Sequence, residues 1–209
     1  MKKRLLLILM GITLIFIGVY LMYNRYTKDR ENKSFIMYIE DKYTKDNNVY
    51  LTGIVKKGRL TVNDVLEVVG CNIDNITVNE IYVNNEEKKE ATIGDKVIIN
   101  AGKVDINEFK RGVALAGSNI VKFTRNVEME ITLDNDVTEQ IKRGSGLVFQ
   151  IGPENYGGEI DMEDSLVATQ TGIVNVTFDD KVPVYEDVSV IVKYDGIRII
   201  GSGRITKVK

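Results

Sequence analysis

The sequence predicts an all-β protein in two halves behind a single apolar N-terminal helix, and three observations carry that reading. Short β-branched and aromatic runs recur through residues 34–209, separated by Gly, Asn and Asp, the pattern of strands and turns in small barrels or sandwiches. No stretch of that region repeats its apolar residues with the helical period over more than a turn. A charge-free apolar run, by contrast, fills residues 5–23.

That run, LLLILMGITLIFIGVYLMY, has nineteen residues. As a helix it spans about 28 Å, close to the hydrocarbon thickness of a bilayer. A cleaved signal peptide carries about 7–15 apolar residues and ends in small ones. This run is longer and exits through Leu21-Met22-Tyr23-Asn24-Arg25, so residues 1–23 are expected to form an uncleaved single-pass anchor, with Tyr20 and Tyr23 at the interface. Lys2, Lys3 and Arg4 precede the run, and Arg25, Lys28, Arg30 and Lys33 follow it. The positive-inside count is therefore nearly balanced, and the very short basic N-terminal flank tips the expectation towards an exported C-terminal part. Residues 24–33, NRYTKDRENK, are polar without apolar periodicity and read as a linker.

Beyond the linker, strands are expected at Val49–Val55, Val65–Val69, Ile76–Val78, Ile81–Val83 and Lys96–Ile99. A second series follows at Val127–Leu133, Leu147–Ile151, Ile173–Phe178, Val188–Val192 and Ile197–Ile200. Ile106 and Phe109, three residues apart, allow one helical turn at 105–110. The small, polar Ala116-Gly117-Ser118-Asn119 stretch divides the two series.

Composition excludes much chemistry. The 209 residues include no His and one Cys, so there is no imidazole acid or base, no His-dependent nucleophile and no ordinary Cys/His zinc site. Three of the 28 basic residues precede the apolar run, leaving 25 against 30 acidic ones, a balance of −5 beyond it. That balance opposes capture of phosphate backbones, and nucleic acid is not an expected partner. No G-x-x-x-x-G-K-[ST] phosphate loop occurs, so no nucleotide is expected. Asp134/Asp136, Asp161/Glu163/Asp164, Asp179/Asp180 and Glu186/Asp187 lack calcium-loop spacing and read as turn residues at breaks between strands. Lys56-Lys57-Gly58-Arg59 reads as a hairpin tip and is the best candidate contact for an anionic partner. Cys71, beside Asn72, reads as a passive turn residue.

Two ordered sets of motifs then point to a family. The first runs from Phe35-Ile36-Met37-Tyr38-Ile39-Glu40-Asp41-Lys42-Tyr43 through Thr52-Gly53-Ile54-Val55-Lys56-Lys57-Gly58 and Asn63–Gly70 to Ile93-Gly94-Asp95-Lys96-Val97 and Ile106–Ala116. It resembles the second domain of elongation factor Tu-type translational GTPases. The second set, Lys122-Phe123, Val127–Ile131, Arg143–Ile151 and Gly196–Val208, resembles the third domain. The resemblance implies two small β-barrels in tandem, at 34–117 and 118–209, without the GTPase domain. The recurrent Gly53, Gly94, Gly112, Gly201 and Gly203 suit tight turns and strand crossings in such barrels.

The resemblance also carries candidate ligand contacts. Glu40, Asp41 and Thr52 match the family's aminoacyl-pocket residue types, and Tyr43 stands for its phenylalanine. Lys96 replaces the family's asparagine and Gln150 an arginine of its tRNA-contacting segment, so aminoacyl-tRNA delivery is not expected. With Lys56, Lys57 and Arg59 these four complete the candidate set. No catalytic, metal or cofactor-binding residue is expected. The function expected is a membrane-tethered, non-enzymatic binding or assembly module with a protein or peptide partner. The alternative is a cytoplasmic, membrane-anchored translation-related factor that contacts RNA, ribosome or a GTPase.

Overall fold

The computed structural model describes residues 16–20, 22 and 34–209. Residues 16–20 and 22 are helical and exposed. The rest of the expected anchor, and the linker at 24–33, lie outside the described residues. Among the described residues no helix is long and apolar enough to cross a membrane.

The first half contains β1 (Ile36–Lys45), β2 (Asn48–Lys57), β3 (Arg59–Thr61), β4 (Val65–Val69), β5 (Asn75–Thr77), β6 (Glu80–Val83), β7 (Glu86–Lys88), β8 (Glu90–Thr92), β9 (Lys96–Asn100) and β10 (Ala114–Ala116), with a 3-10 turn at Ile106–Glu108. Eight of these strands form one sheet, in the order β5-β4-β10-β1-β2-β9-β6-β7, and β3 pairs with β8 in a separate ribbon. The hydrogen-bonded ladder of this half does not close from β5 to β7. The ribbon instead completes the enclosure with side chains, contributing Leu60 and Ala91 to the same core as Leu51, Val97 and Phe109. Asp46-Asn47 and Asn84-Asn85 join β1 to β2 and β6 to β7 with positive φ at both residues, which is the geometry of two-residue hairpin turns.

The second half contains β11 (Lys122–Leu133), β12 (Gly146–Ile151), β13 (Glu154–Asp161), β14 (Thr171–Val184), β15 (Ser189–Tyr194) and β16 (Arg198–Val208). They close into a barrel in the order β11-β14-β13-β12-β15-β16. Strict alternation explains its filling: Val127, Met129, Ile131 and Leu133 point inward from β11, as expected for a strand with one solvated face. Phe149 and Phe178 meet edge to face at 5.7 Å in this core.

The apolar run Phe35–Ile39 has no polar face because it serves two cores. Phe35, Met37 and Ile39 pack into the first. Ile36 and Tyr38, on the other face, join Ala114 and Ala116 against the second. The outer face of the first sheet is thus partly covered by the second barrel. Two features of the sequence reading change here. Lys56–Arg59 is not a hairpin tip: β2 pairs with β1 and β9 whereas β3 pairs with β8, so Gly58 is the corner where the chain leaves one sheet for the other. Asp179 and Asp180 lie within β14, beside a register shift opposite Thr124 and Asn126; that extra length lets two carboxylates sit in a strand without interrupting it.

Candidate functional site

An open groove of about 660 Å³ crosses the first sheet, lined by Ile39, Glu40, Asp41, Lys42, Thr52, Lys96, Ile98 and Arg111. Its geometry follows from pairing. Asp41 lies opposite Thr52 and Thr52 opposite Ile98, which sets these side chains in one outward row. The β1–β2 register slips between Ile39 and Asp41. Such a bulge re-aims a side chain, and here two consecutive acidic residues, Glu40 and Asp41, both reach the groove.

Local hydrogen bonds hold its floor. The Thr52 hydroxyl donates to the Asp41 carbonyl at 3.3 Å, and the Lys42 amide donates to Asp41 Oδ1 at 2.8 Å. Lys42 Nζ is drawn aside, donating to the Ile106 carbonyl at 2.7 Å. The structure therefore brings Glu40, Asp41 and Thr52 together, as a group.

The other candidates fall elsewhere. Tyr43 extends the same face, stacked on Tyr50 with ring centroids 5.2 Å apart and planes 6° from parallel. Lys57 Nζ lies 5.9 Å from the Tyr185 ring centroid, across the seam between the two halves. Lys56 is exposed on the same seam, near Gln150 and Tyr185. Arg59 is engaged within the ribbon, donating to Glu90 at 2.8 Å. The basic segment thus contributes nothing to the groove.

Arg111 is the residue that sequence reasoning missed. From the end of the groove its Nη1 donates to the Glu40 carbonyl at 3.1 Å and its Nε to the Pro153 carbonyl at 3.2 Å, with Glu154 Oε2 at 3.8 Å. One guanidinium therefore ties the first sheet to the β12–β13 turn of the barrel. A lysine, with its single ammonium, does not reproduce that fork. Two glycines complete the joint. Gly152 has φ +59, and a Cβ there would lie 2.7 Å from the Tyr38 ring. Gly112 has φ +87, and a Cβ there would lie 2.7 Å from the Tyr156 hydroxyl. Between them the buried Tyr38 hydroxyl donates to the Pro183 carbonyl at 3.0 Å. Burial pushes the Tyr38 hydroxyl well above the ordinary tyrosine range, and burial with the neighbouring Glu154 pushes Tyr156 up to about 12.

Alongside the groove a polar cluster fixes the tyrosines. Glu80 Oε2 accepts from Tyr82 at 3.1 Å and from Tyr50 at 3.4 Å. A hydrogen bond from Asn100, then those from Tyr82 and Tyr50, hold Glu80 below the usual carboxylate range against the opposing effect of burial. A second open groove, of about 670 Å³, lies on the barrel and is lined by Arg143, Asp161, Glu163, Asp164 and Ile173 among others; Arg143 and Asp161 pair across it at 2.9 Å. Among the described residues no group of three or more His, Cys, Asp and Glu is placed to hold a metal ion.

No family model matches the chain. Over 115 residues, 54% of its length, it is 30% identical to an elongation factor 1 alpha-like protein of Schizosaccharomyces pombe, of which it covers 19%. The chain thus spans about a fifth of the length of that relative. Sequence similarity and architecture agree on a translation-factor-like β-barrel module.

Proposed function

We propose that the chain is a membrane-tethered, non-enzymatic binding and assembly module that offers its groove to a polypeptide partner. Residues 5–23 serve as an uncleaved single-pass anchor, and residues 34–209 stand on the outer side of the membrane. The observation that carries this reading is the groove itself, where Glu40, Asp41, Thr52, Lys96 and Arg111 converge beside a braced joint. Charged and hydroxyl groups on a rigid sheet suit recognition of peptide main chain and polar side chains. The test is an alkaline phosphatase fusion after Lys209, with external protease applied to intact cells. An active fusion and a cleavable domain are expected. An inactive fusion with a protected domain overturns the external placement.

The similarity to an elongation factor 1 alpha-like protein favours a second reading. In it the chain is a cytoplasmic, membrane-anchored translation-related factor contacting RNA, ribosome or a GTPase partner. It requires the opposite result from the same fusion, together with ribosome-dependent sedimentation of the full chain.

A further inference from the structure

The chain enters the fold at Ser34, beside the seam between the two halves. A pocket of about 360 Å³ there is lined by Ser34, Lys57, Asn119, Lys122, Tyr185 and Glu186 among others. Tyr185 also lines the neighbouring seam pocket, which holds Lys56, so lysines from both halves flank one tyrosine. Strand pairing brings them together: Lys57 lies opposite Ile36 at the start of β1, and Lys122 opposite Val184, next to Tyr185. All three lysines are exposed, and among the described residues none of them is in an ion pair. Of the nearby carboxylates, Asp187 lies 3.6 Å from Arg204, and Glu67 accepts from the Asn119 amide at 2.8 Å. Glu186 alone is left against Lys56, Lys57 and Lys122. The excess is local, since the chain as a whole is net acidic.

We infer that this seam face is a docking surface for the anionic phosphate headgroups of a lipid bilayer, on which the two halves sit together. The inference rests on the membrane-tethered reading and adds the surface by which the module meets the bilayer. Chain length argues for lipid. Ten residues, 24–33, separate the apolar run from Ser34, so a flexible tether holds the pocket within about 20 Å of the bilayer on average and about 35–40 Å at full stretch. Lysines kept that close repeatedly enter the surface potential of anionic lipids, which extends over a Debye length of about 8 Å. Charge and side-chain type agree with this placement. Lysine ammoniums match phosphate, and tyrosine is enriched in the headgroup layer. The tether has the same sign, with Arg25, Lys28, Arg30 and Lys33 against Asp29 and Glu31. From the pocket, β1 runs from Ile36 to Asp41 in the groove, about 17 Å along the strand. The lipid face and the groove are thus separate sites.

The test places the full chain in nanodiscs of neutral phosphatidylcholine, or of the same lipid with about a third phosphatidylglycerol, both doped with a headgroup-quencher lipid. A fluorophore at Ser118, exposed beside Asn119 of the pocket, reports approach to the bilayer. One at Ile197, 86% exposed at the opposite end of β16 from Val208 of the pocket, is the control. Quenching at Ser118 is expected in the anionic discs, weakening with added salt, and none at Ile197. Each lysine beside an anionic surface shifts the docked-to-undocked ratio about fivefold, so Lys57→Ala with Lys122→Ala should lower it about 25-fold. Lys193→Ala, near the Ile197 turn, should leave it unchanged. Equal quenching in neutral and anionic discs, or indifference to the lysine pair, overturns the inference. Displacement by millimolar inorganic phosphate would assign the lysines to a free phosphate ligand, and displacement by oligouridylate to nucleic acid; either overturns it. No quenching at Ser118 in anionic discs that hold the chain overturns the docking face and leaves the tether standing. A chain that fails to enter neutral discs at all overturns the tether, and the inference with it.

Discussion

Replacing Gly152 by alanine loads the joint beside the groove at a point where the cost can be worked from coordinates. The residue holds φ +59, and its Cβ would lie 2.7 Å from one Tyr38 ring carbon, 2.8 Å from another and 3.2 Å from the Tyr38 Cβ. A left-handed backbone costs a non-glycine residue about 1–2 kcal/mol. Forcing a methyl group against a packed ring costs about 1–3 kcal/mol more. Tyr38 cannot simply swing away, because it is buried and its hydroxyl is bonded to Pro183. Gly152→Ala is therefore expected to destabilise the folded chain by about 2–5 kcal/mol. Gly94→Ala is the control. It has φ +90 with nothing within 4 Å of the added carbon, so only the backbone cost applies. Urea unfolding of the full chain in micelles, followed by circular dichroism, measures both. Because the strain falls on the joint, Gly152→Ala should also separate the unfolding of the two halves into resolved transitions. A Gly152→Ala variant that costs no more than Gly94→Ala, with one transition, would refute the account of the joint.

Three further outcomes are expected. Tyr38→Phe removes the buried bond to the Pro183 carbonyl and should cost about 1–2 kcal/mol in the same urea assay; an unchanged midpoint contradicts it. The hydrogen bond from Arg198 holds the Glu139 carboxyl at about 2, below its ordinary 4.5. A carboxyl lowered on folding stabilises the native state above its unfolded pKa, and that contribution disappears as pH falls from about 4.5 towards about 2. Urea midpoints across that window should fall less steeply for Glu139→Gln than for the natural chain, and parallel curves would refute the assignment. Burial pushes the Cys71 thiol up, with Glu108 adding to the shift against a backbone hydrogen bond at Ile73. Labelling by a disulfide reagent at mildly alkaline pH should be slower than for free glutathione, and an equal rate contradicts that environment.

Strand interiors were legible because β-branched residues and alternation survive in the sequence, as in Val127–Leu133 and Leu147–Ile151. The strands that escaped notice lack those marks. β7 is Glu86-Glu87-Lys88, fully exposed at the edge of the sheet, and pairing with β6 alone makes it a strand. β13 carries Gly157 and Gly158 in its middle, and they resemble turn residues. Gly158 faces the backbone of β14, with Thr177 O 3.0 Å and Phe178 Cα 3.2 Å from where its Cβ would be, whereas at Gly157 only the movable Asp179 carboxylate stands in the way. Asp179 and Asp180 were misplaced for a related reason, since a bulge admits polar residues that a regular strand would not. In the site, Glu40, Asp41 and Thr52 were found through their family positions, and the bulge that makes them neighbours leaves no local signature. Arg111 stands inside the family-like motif at Ile106–Ala116, but its bracing role has no local signal, because its partners Pro153 and Glu154 are tertiary neighbours in the other half.

The central claim, that the groove takes a polypeptide, is tested most directly by photocrosslinking in living cells. A photoreactive residue replaces Ile98, which lies in the groove between Thr52 and Tyr82, in the otherwise natural full chain. The account predicts a protease-sensitive, nuclease-resistant adduct that Lys96→Glu diminishes. A nuclease-sensitive adduct, or none at Ile98 while a barrel position such as Ile173 crosslinks, would contradict it.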